Sequence, residues 1–243
     1  MSKPQKRSKK SYRNNLERSP ATLQARQRIL IVTEGQTEAA YFNALRNKWR
    51  LHGTVIVENP DCTDPVSLLA SGKQEYDEKK KHDVTSLLKG GYDAVWLVYD
   101  LEKPNSTDRR KQSKKVINKI TGKGYTNFRI AQSDPAFEFW YVLHFERTTK
   151  SFTGADEVIK HLQKHWQKEF GKSYKKGHTL SREELEIILD KTATARSNAV
   201  WVRRQLATSQ STAPITDVDK LWDHSIPDDA LPSLYVMCLA STQ

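Results

Sequence analysis

Residues 28–42, RILIVTEGQTEAAYF, decide how this chain is read. Four apolar residues, Ile29 to Val32, run unbroken into Thr33-Glu34-Gly35-Gln36-Thr37-Glu38, and an alanine-rich, helix-favouring segment follows. A short continuous apolar run bounded by a Gly-containing turn predicts a buried strand of a parallel sheet, and the segment after it predicts the first helix, to about Trp49. Glu34 and Glu38 therefore lie just beyond the carboxyl end of that strand, where open α/β sheets build their sites.

The same alternation continues outward. Thr54 to Val57 predicts a weaker strand, and Asp64-Pro65 can cap and begin a helix carrying Val66, Leu68, Leu69 and Tyr76 that fades into the charged run from Glu75 to Asp83. After Gly90-Gly91, Ala94 to Tyr99 is a second strongly apolar strand, and it ends on Asp100-Leu101-Glu102. A basic helix from about Thr107 to Thr121 follows, then a strand at Phe128 to Ala131, after which no further strand is expected. Strands alternating with helices predict a parallel sheet with right-handed crossovers. Beyond it the pattern is helical: an aromatic-rich helix from Pro135 to Phe145, one from Ala155 to Phe170, one from Ser181 to about Leu206 opened by a Ser181/Glu184 capping box, and a short one from Ile215 to His224. The fold class is thus α/β, a parallel sheet flanked by helices with a helical C-terminal extension. Its expected divisions are a basic, disordered tail over 1–27, a core over 28–145 and a helical region over 146–243.

Asp100 and Glu102 are two apart at a strand end, so both side chains are expected to lean to one face. If that strand lies beside the first, Glu34 joins them at one sheet edge. Carboxylates gathered this closely repel unless a cation sits among them, and all-oxygen ligands select Mg²⁺ or Mn²⁺. Such an ion can orient an attacking water and stabilise charge on a phosphodiester. Taken singly, a Glu after a strand is also a common helix-start residue, and an Asp-x-Glu is also a common solvated turn. Glu138, set among Phe137, Phe139 and Trp140, must face the site or meet a base, because burying it unpaired is costly. Asp134 can simply cap the helix after it, and His144 is read as a packing or surface histidine.

These residues carry a resemblance. Glu34-Gly35 after a buried strand, with Asp100-Leu101-Glu102 two strands later, is similar to the Toprim arrangement of topoisomerases, primases and OLD-type nucleases. Ile31 to Phe42 (IVTEGQTEAAYF), Ser133 to Trp140 (SDPAFEFW), Leu143-His144-Phe145 and Pro214 to Val218 (PITDV) resemble motifs of the RloB-like family. The resemblance implies a Toprim-like core and a setting in bacterial anti-phage defence, often beside an ATPase partner. It implies Glu34, Asp100 and Glu102 as metal ligands and Glu38, where OLD-like relatives often place an acid, as a supporting one; the residue reading adds Glu138 in support. Position 102 departs from Asp-x-Asp by one methylene, which makes one-metal chemistry the safer expectation. The function expected is a Mg²⁺- or Mn²⁺-dependent nuclease, with RNA or tRNA favoured over DNA. The alternative is a nucleic-acid-binding or partner-binding subunit whose site is vestigial.

Charge and composition agree with a polyanionic partner. The formal net charge is +11, and residues 1–28 hold nine Lys/Arg against Glu17 alone, leaving only +3 on the remainder. Arg109, Arg110, Lys111, Lys114 and Lys115 on the basic helix, and Lys175 and Lys176 later, are candidate phosphate contacts, each patch having a solvated face as its plain reading. Tyr174 and Trp166 can stack bases, although Trp166 fits the core better. Two cysteines, Cys62 and Cys238, exclude a cysteine zinc cluster and fit free thiols in a reducing cytoplasm. No membrane span, secretory leader, Gly-x-x-x-x-Gly-Lys-Ser/Thr loop, Gly-x-Ser-x-Gly elbow or His-Glu-x-x-His pair occurs. A homo-oligomer is compatible with everything above.

Overall fold

The computed structural model describes residues 27–85, 91–102, 107–209 and 213–225. The basic leader, Cys238 and the segment after Pro227 lie outside them. The elements run β1 (Ile29–Thr33), α1 (Gln36–Lys48), β2 (Val55–Glu58), α2 (Pro65–Thr85), β3 (Ala94–Asp100), α3 (Thr107–Gly122), β4 (Phe128–Asp134), α4 (Glu138–Leu143), α5 (Ala155–Phe170), α6 (Arg182–Asp190), α7 (Thr192–Ser209), β5 (Ile215–Thr216) and α8 (Val218–Ser225). The sheet order is β2-β1-β3-β4-β5. The first four strands are parallel, and β5 is antiparallel to β4.

The chain leaves β1 toward β2 on one side and returns through β3 to the other side. The carboxyl ends of β1 and β3 therefore flank the point where the winding reverses, the place where a crevice opens in α/β sheets. The register sets Val32 opposite Leu97 and Thr33 opposite Val98, and the Glu34 amide donates to the Val98 carbonyl at 3.0 Å.

Strand alternation divides the core. Ile29 and Ile31 of β1, with Ala94, Trp96 and Val98 of β3, face α1 and the C-terminal helices. Leu30, Val32, Val95, Leu97 and Tyr99 face α2 and α3. The first cluster continues without a gap through Tyr41, Phe137 and Trp140 into Leu162, Trp166, Ile188, Ala199 and Trp222, so the C-terminal helices and the sheet share one core. Trp166 is wholly buried in it. On the other face Gly72 lets α2 lie directly on the sheet, since a Cβ there would stand 3.1 Å from Leu97 and 3.3 Å from Val32.

Four expectations need correction. The second helix does not fade at Glu75 but runs to Thr85, because its charges pair one turn apart, Lys73 with Asp77 and Lys79 with Asp83. The aromatic helix is only Glu138–Leu143. The expected single helix from Ser181 is two, divided at Lys191, whose amide bonds back to Ile187 and Leu189 carbonyls. Strands do not end after the fourth: Ile215–Thr216 pairs with Ser133 and Asp134 where a helix start was expected. Two residues carry no periodicity, so the exposed edge of β4, not local sequence, makes β5 a strand. No helix among the described residues is long and apolar enough to cross a membrane.

Candidate metal centre

Glu34, Gly35, Gln36, Thr37, Glu38, Asp100, Glu102, Arg109, Pro135, Glu138, Ala155, Lys176 and Gly177 line one cavity of about 360 Å³ at the winding reversal. All five sequence-predicted carboxylates reach it, but they divide into two groups by strand parity. Asp100 continues the alternation of Trp96 and Val98 and so points toward α1 and α4. Glu34 continues that of Leu30 and Val32 and so points toward α3.

The inner group is Glu38, Asp100 and Glu138. Glu38 sits in the first turn of α1, where the helix N-terminus favours a carboxylate, and Glu138 opens α4. Glu38 is 4 % exposed and Glu138 1 %. Gly35 permits this packing: a Cβ there would stand 2.3 Å from Glu38 Oε2. Burial, with the charges of Glu138 and Glu34 added, raises the Glu38 acid to about 7. Burial, then Glu38 and Glu138, lift Asp100 well above the ordinary carboxylate range. Among the described residues Asp100 Oδ1 and Glu138 Oε2 are buried without a hydrogen-bond partner. Glu138 Oε1 accepts from the Tyr174 hydroxyl at 3.2 Å and from Thr37 Oγ1 at 3.5 Å. Glu138 thus faces the site.

The outer group is Glu34 and Glu102, and Arg109 stands between them. Arg109 Nη2 donates to both oxygens of Glu34, at 2.7 and 2.6 Å, lies 3.7 Å from Glu102, and its Nη1 donates to the Thr63 carbonyl. Burial still raises the Glu34 acid, against the pull of Arg109. Glu102 corrects the expected pairing with Asp100. Its backbone is left-handed (φ 62°), which breaks the strand alternation, and its side chain is 61 % exposed.

Arg109 and Arg110 are not free phosphate contacts: the first holds Glu34, and the second bonds buried Asp134 at 2.5 Å. Asp134 is not a helix cap, since it ends β4 and the N-cap of α4 is Phe137. Lys111, Lys114 and Lys115 are exposed on α3. Lys175 and Lys176 are exposed on the loop before α6, and Lys176 lines the cavity, its charge acting on Glu38 and Asp100. Tyr174 is buried against Glu138 and cannot stack on a base. His144 is a packing histidine, its Nδ1 bonded to the Trp140 carbonyl at 2.8 Å and burial pushing its pKa down to about 3. Sequence alone missed Thr37 and Gly177, whose hydroxyl and amide bond at 3.0 Å and clasp the loop onto α1. No spacing links residues 140 positions apart.

The donor set suits a hard divalent cation. Two buried carboxylates and a half-buried third offer oxygen only, two of those oxygens are orphaned, and an ion among them would offset their mutual repulsion.

The profile of the RloB-like protein family matches residues 29–224. The chain belongs to the RloB-like family. That match spans β1 through nearly all of α8, so the RloB-like unit includes both the sheet and the helices that place Tyr174 and Lys176. No curated protein matches the chain.

Proposed function

We propose that this RloB-like protein is a divalent-metal-dependent phosphodiesterase acting on nucleic acid, RNA or tRNA before DNA. One observation carries the reading: buried Glu38 and Glu138 converge with half-buried Asp100, two of their oxygens short of hydrogen-bond donors, at the winding reversal of the sheet. These three would hold Mg²⁺ or Mn²⁺, with Glu34 next to them and Glu102 at the rim. The ion would supply a water of lowered pKa and neutralise charge developing on the phosphate.

The protein's own residues do the rest. Tyr174 and Thr37 fix the Glu138 carboxylate, and Gly35 leaves room for that of Glu38. Lys176, which lines the cavity, would hold a non-bridging phosphate oxygen, and Arg109 keeps Glu34 oriented. Lys111, Lys114 and Lys115, exposed on the helix that carries Arg109, and Lys175, next to Lys176, would give the backbone of a longer strand further contacts. Family membership supports a place in phage defence, as an effector beside an ATPase in the cytoplasm.

A second reading is a non-catalytic binding subunit. It is favoured by Arg109, which already neutralises Glu34 through both oxygens. Labelled tRNA and plasmid incubated with the full chain and Mg²⁺ or Mn²⁺, with and without the ATPase, separate the two. Cleavage lost in Asp100→Asn and Glu138→Gln supports the enzyme. Cleavage unchanged in those variants, or absent in every arm while tRNA still binds, supports the second reading.

A further inference from the structure

Away from the cavity, Glu146, His161 and His165 form a cluster that the phosphodiesterase reading leaves unused. His161 and His165 are four apart on α5, hence one turn apart on one face. Val158, Leu162 and Trp166 of the same helix are buried in the core and hold it in place. Glu146 lies just beyond α4, its amide bonded to the Val142 carbonyl at 2.9 Å. Both histidine Nε2 atoms lie 2.8 Å from the same Glu146 oxygen, Oε2, and one ligand atom from each of the three residues falls within 4.8 Å of the others.

The geometry points to a second metal site here, a Zn²⁺ site of two imidazoles and one carboxylate. Four features support it. The donor set, two nitrogens and an oxygen, is borderline-soft and suits zinc, whereas the all-oxygen cavity suits magnesium. The His-x-x-x-His spacing is one that brings two imidazoles to a single tetrahedral ion. Ligand atoms about 2.0 Å from such an ion stand about 3.3 Å apart, so the two 2.8 Å contacts need open by only about half an ångström. The rings are already oriented: Phe145 stacks on His165 with centroids 5.8 Å apart and planes 8° from parallel, and Phe152 meets His161 edge-on at 5.5 Å.

Without the ion, each Nε2 can donate its hydrogen to Glu146. On binding, each neutral imidazole carries its hydrogen on Nδ1 instead and presents the Nε2 lone pair. The side chains are 14 %, 26 % and 34 % exposed for His161, His165 and Glu146, so an ion can reach the site and a water can fill its fourth position. Zinc there would staple the segment after α4 to the middle of α5. The site is chemically independent of the carboxylate cavity and does not rest on the phosphodiesterase reading.

The test uses the full chain, freed of any histidine tag and stripped by chelator, dialysed against Zn²⁺ in excess Mg²⁺. Wild type and Asp100→Asn should each retain one zinc per chain. His161→Gln, His165→Gln and Glu146→Gln should each bind at least about 100-fold more weakly, since loss of an outer partner alone costs up to about that much. Should those variants fail to fold by circular dichroism, Co²⁺ added to wild type decides. An intense visible band is expected of a tetrahedral nitrogen-containing site. A weak, octahedral-type band alone overturns the proposal, as do zinc retention unchanged in folded histidine variants and zinc loss in Asp100→Asn.

Discussion

Glu34 and Glu38 are one helical turn apart in sequence, yet their carboxylates answer to different neighbours. Glu34 belongs to Arg109, and Glu38 to Asp100 and Glu138. The inner acids therefore make a stability prediction as well as a catalytic one. Glu138→Gln keeps an acceptor for the Tyr174 hydroxyl and removes one charge from the cluster. It should raise the stability of metal-free protein by about 1 kcal/mol in urea denaturation while abolishing Mg²⁺ binding by calorimetry. Glu38 sets the pH dependence. Its folded-state pKa of about 7 lies above the unfolded value of 4.5. The folded state thus binds the proton more tightly, and its stabilising contribution, complete below 4.5, is lost as pH rises through about 7. Mg²⁺ needs the ionised group, so the ion's stabilisation should grow across the same window. Thermal melts of wild type and Glu38→Gln, at about pH 5 and about pH 8 with and without Mg²⁺, check this. The variant's metal-free melting point should decline less between the two pH values.

At the scale of elements, the loop between α5 and α6 closes the cavity from the C-terminal side. Gly171 (φ 65°) ends α5 in a left-handed cap, and Gly177 (φ 76°) turns the chain so that its amide reaches Thr37. The far end is fixed by the capping box legible in the sequence. The Glu184 amide donates to Ser181 Oγ at 3.3 Å, the Ser181 amide donates to Glu184 Oε2 at 2.7 Å, and His178 bonds that same oxygen. Ser181→Ala should cost about 1 kcal/mol of global stability by denaturant unfolding. It should leave Mg²⁺ affinity unchanged within about twofold, because the Tyr174–Glu138 bond lies before the cap.

The molecule as a whole is joined across its sheet edge. Thr216 pairs with Ser133 through backbone and hydroxyl, the Asp217 amide donates to the Gln132 carbonyl, and Arg203 on α7 binds both the Thr216 carbonyl and buried Asp219. Trp222 of α8 then meets Trp49, at the end of α1, edge-on at 5.1 Å. Trp222 is 2 % exposed, so Trp222→Ala should cost about 3–5 kcal/mol, read as a single cooperative loss in thermal unfolding. Two separate transitions would contradict the shared core.

The sequence by itself determined the strands at Ile29 and Ala94, the parallel α/β class, the helical character of the C-terminal half and the five carboxylates that line the cavity. Unbroken apolar runs, helical spacing and capping chemistry are local, and each was written within a few turns of chain. Only the tertiary structure decided which carboxylates share a site. Sheet parity sends Asp100 and Glu34 to opposite faces, and a left-handed residue turns Glu102 outward. Arg109 and Arg110 read as free cations and proved to be partners of Glu34 and Asp134, while Tyr174 read as an exposed ring and is buried on Glu138. A strand fixes where its carboxylate starts; the elements packed on each face fix what that carboxylate meets.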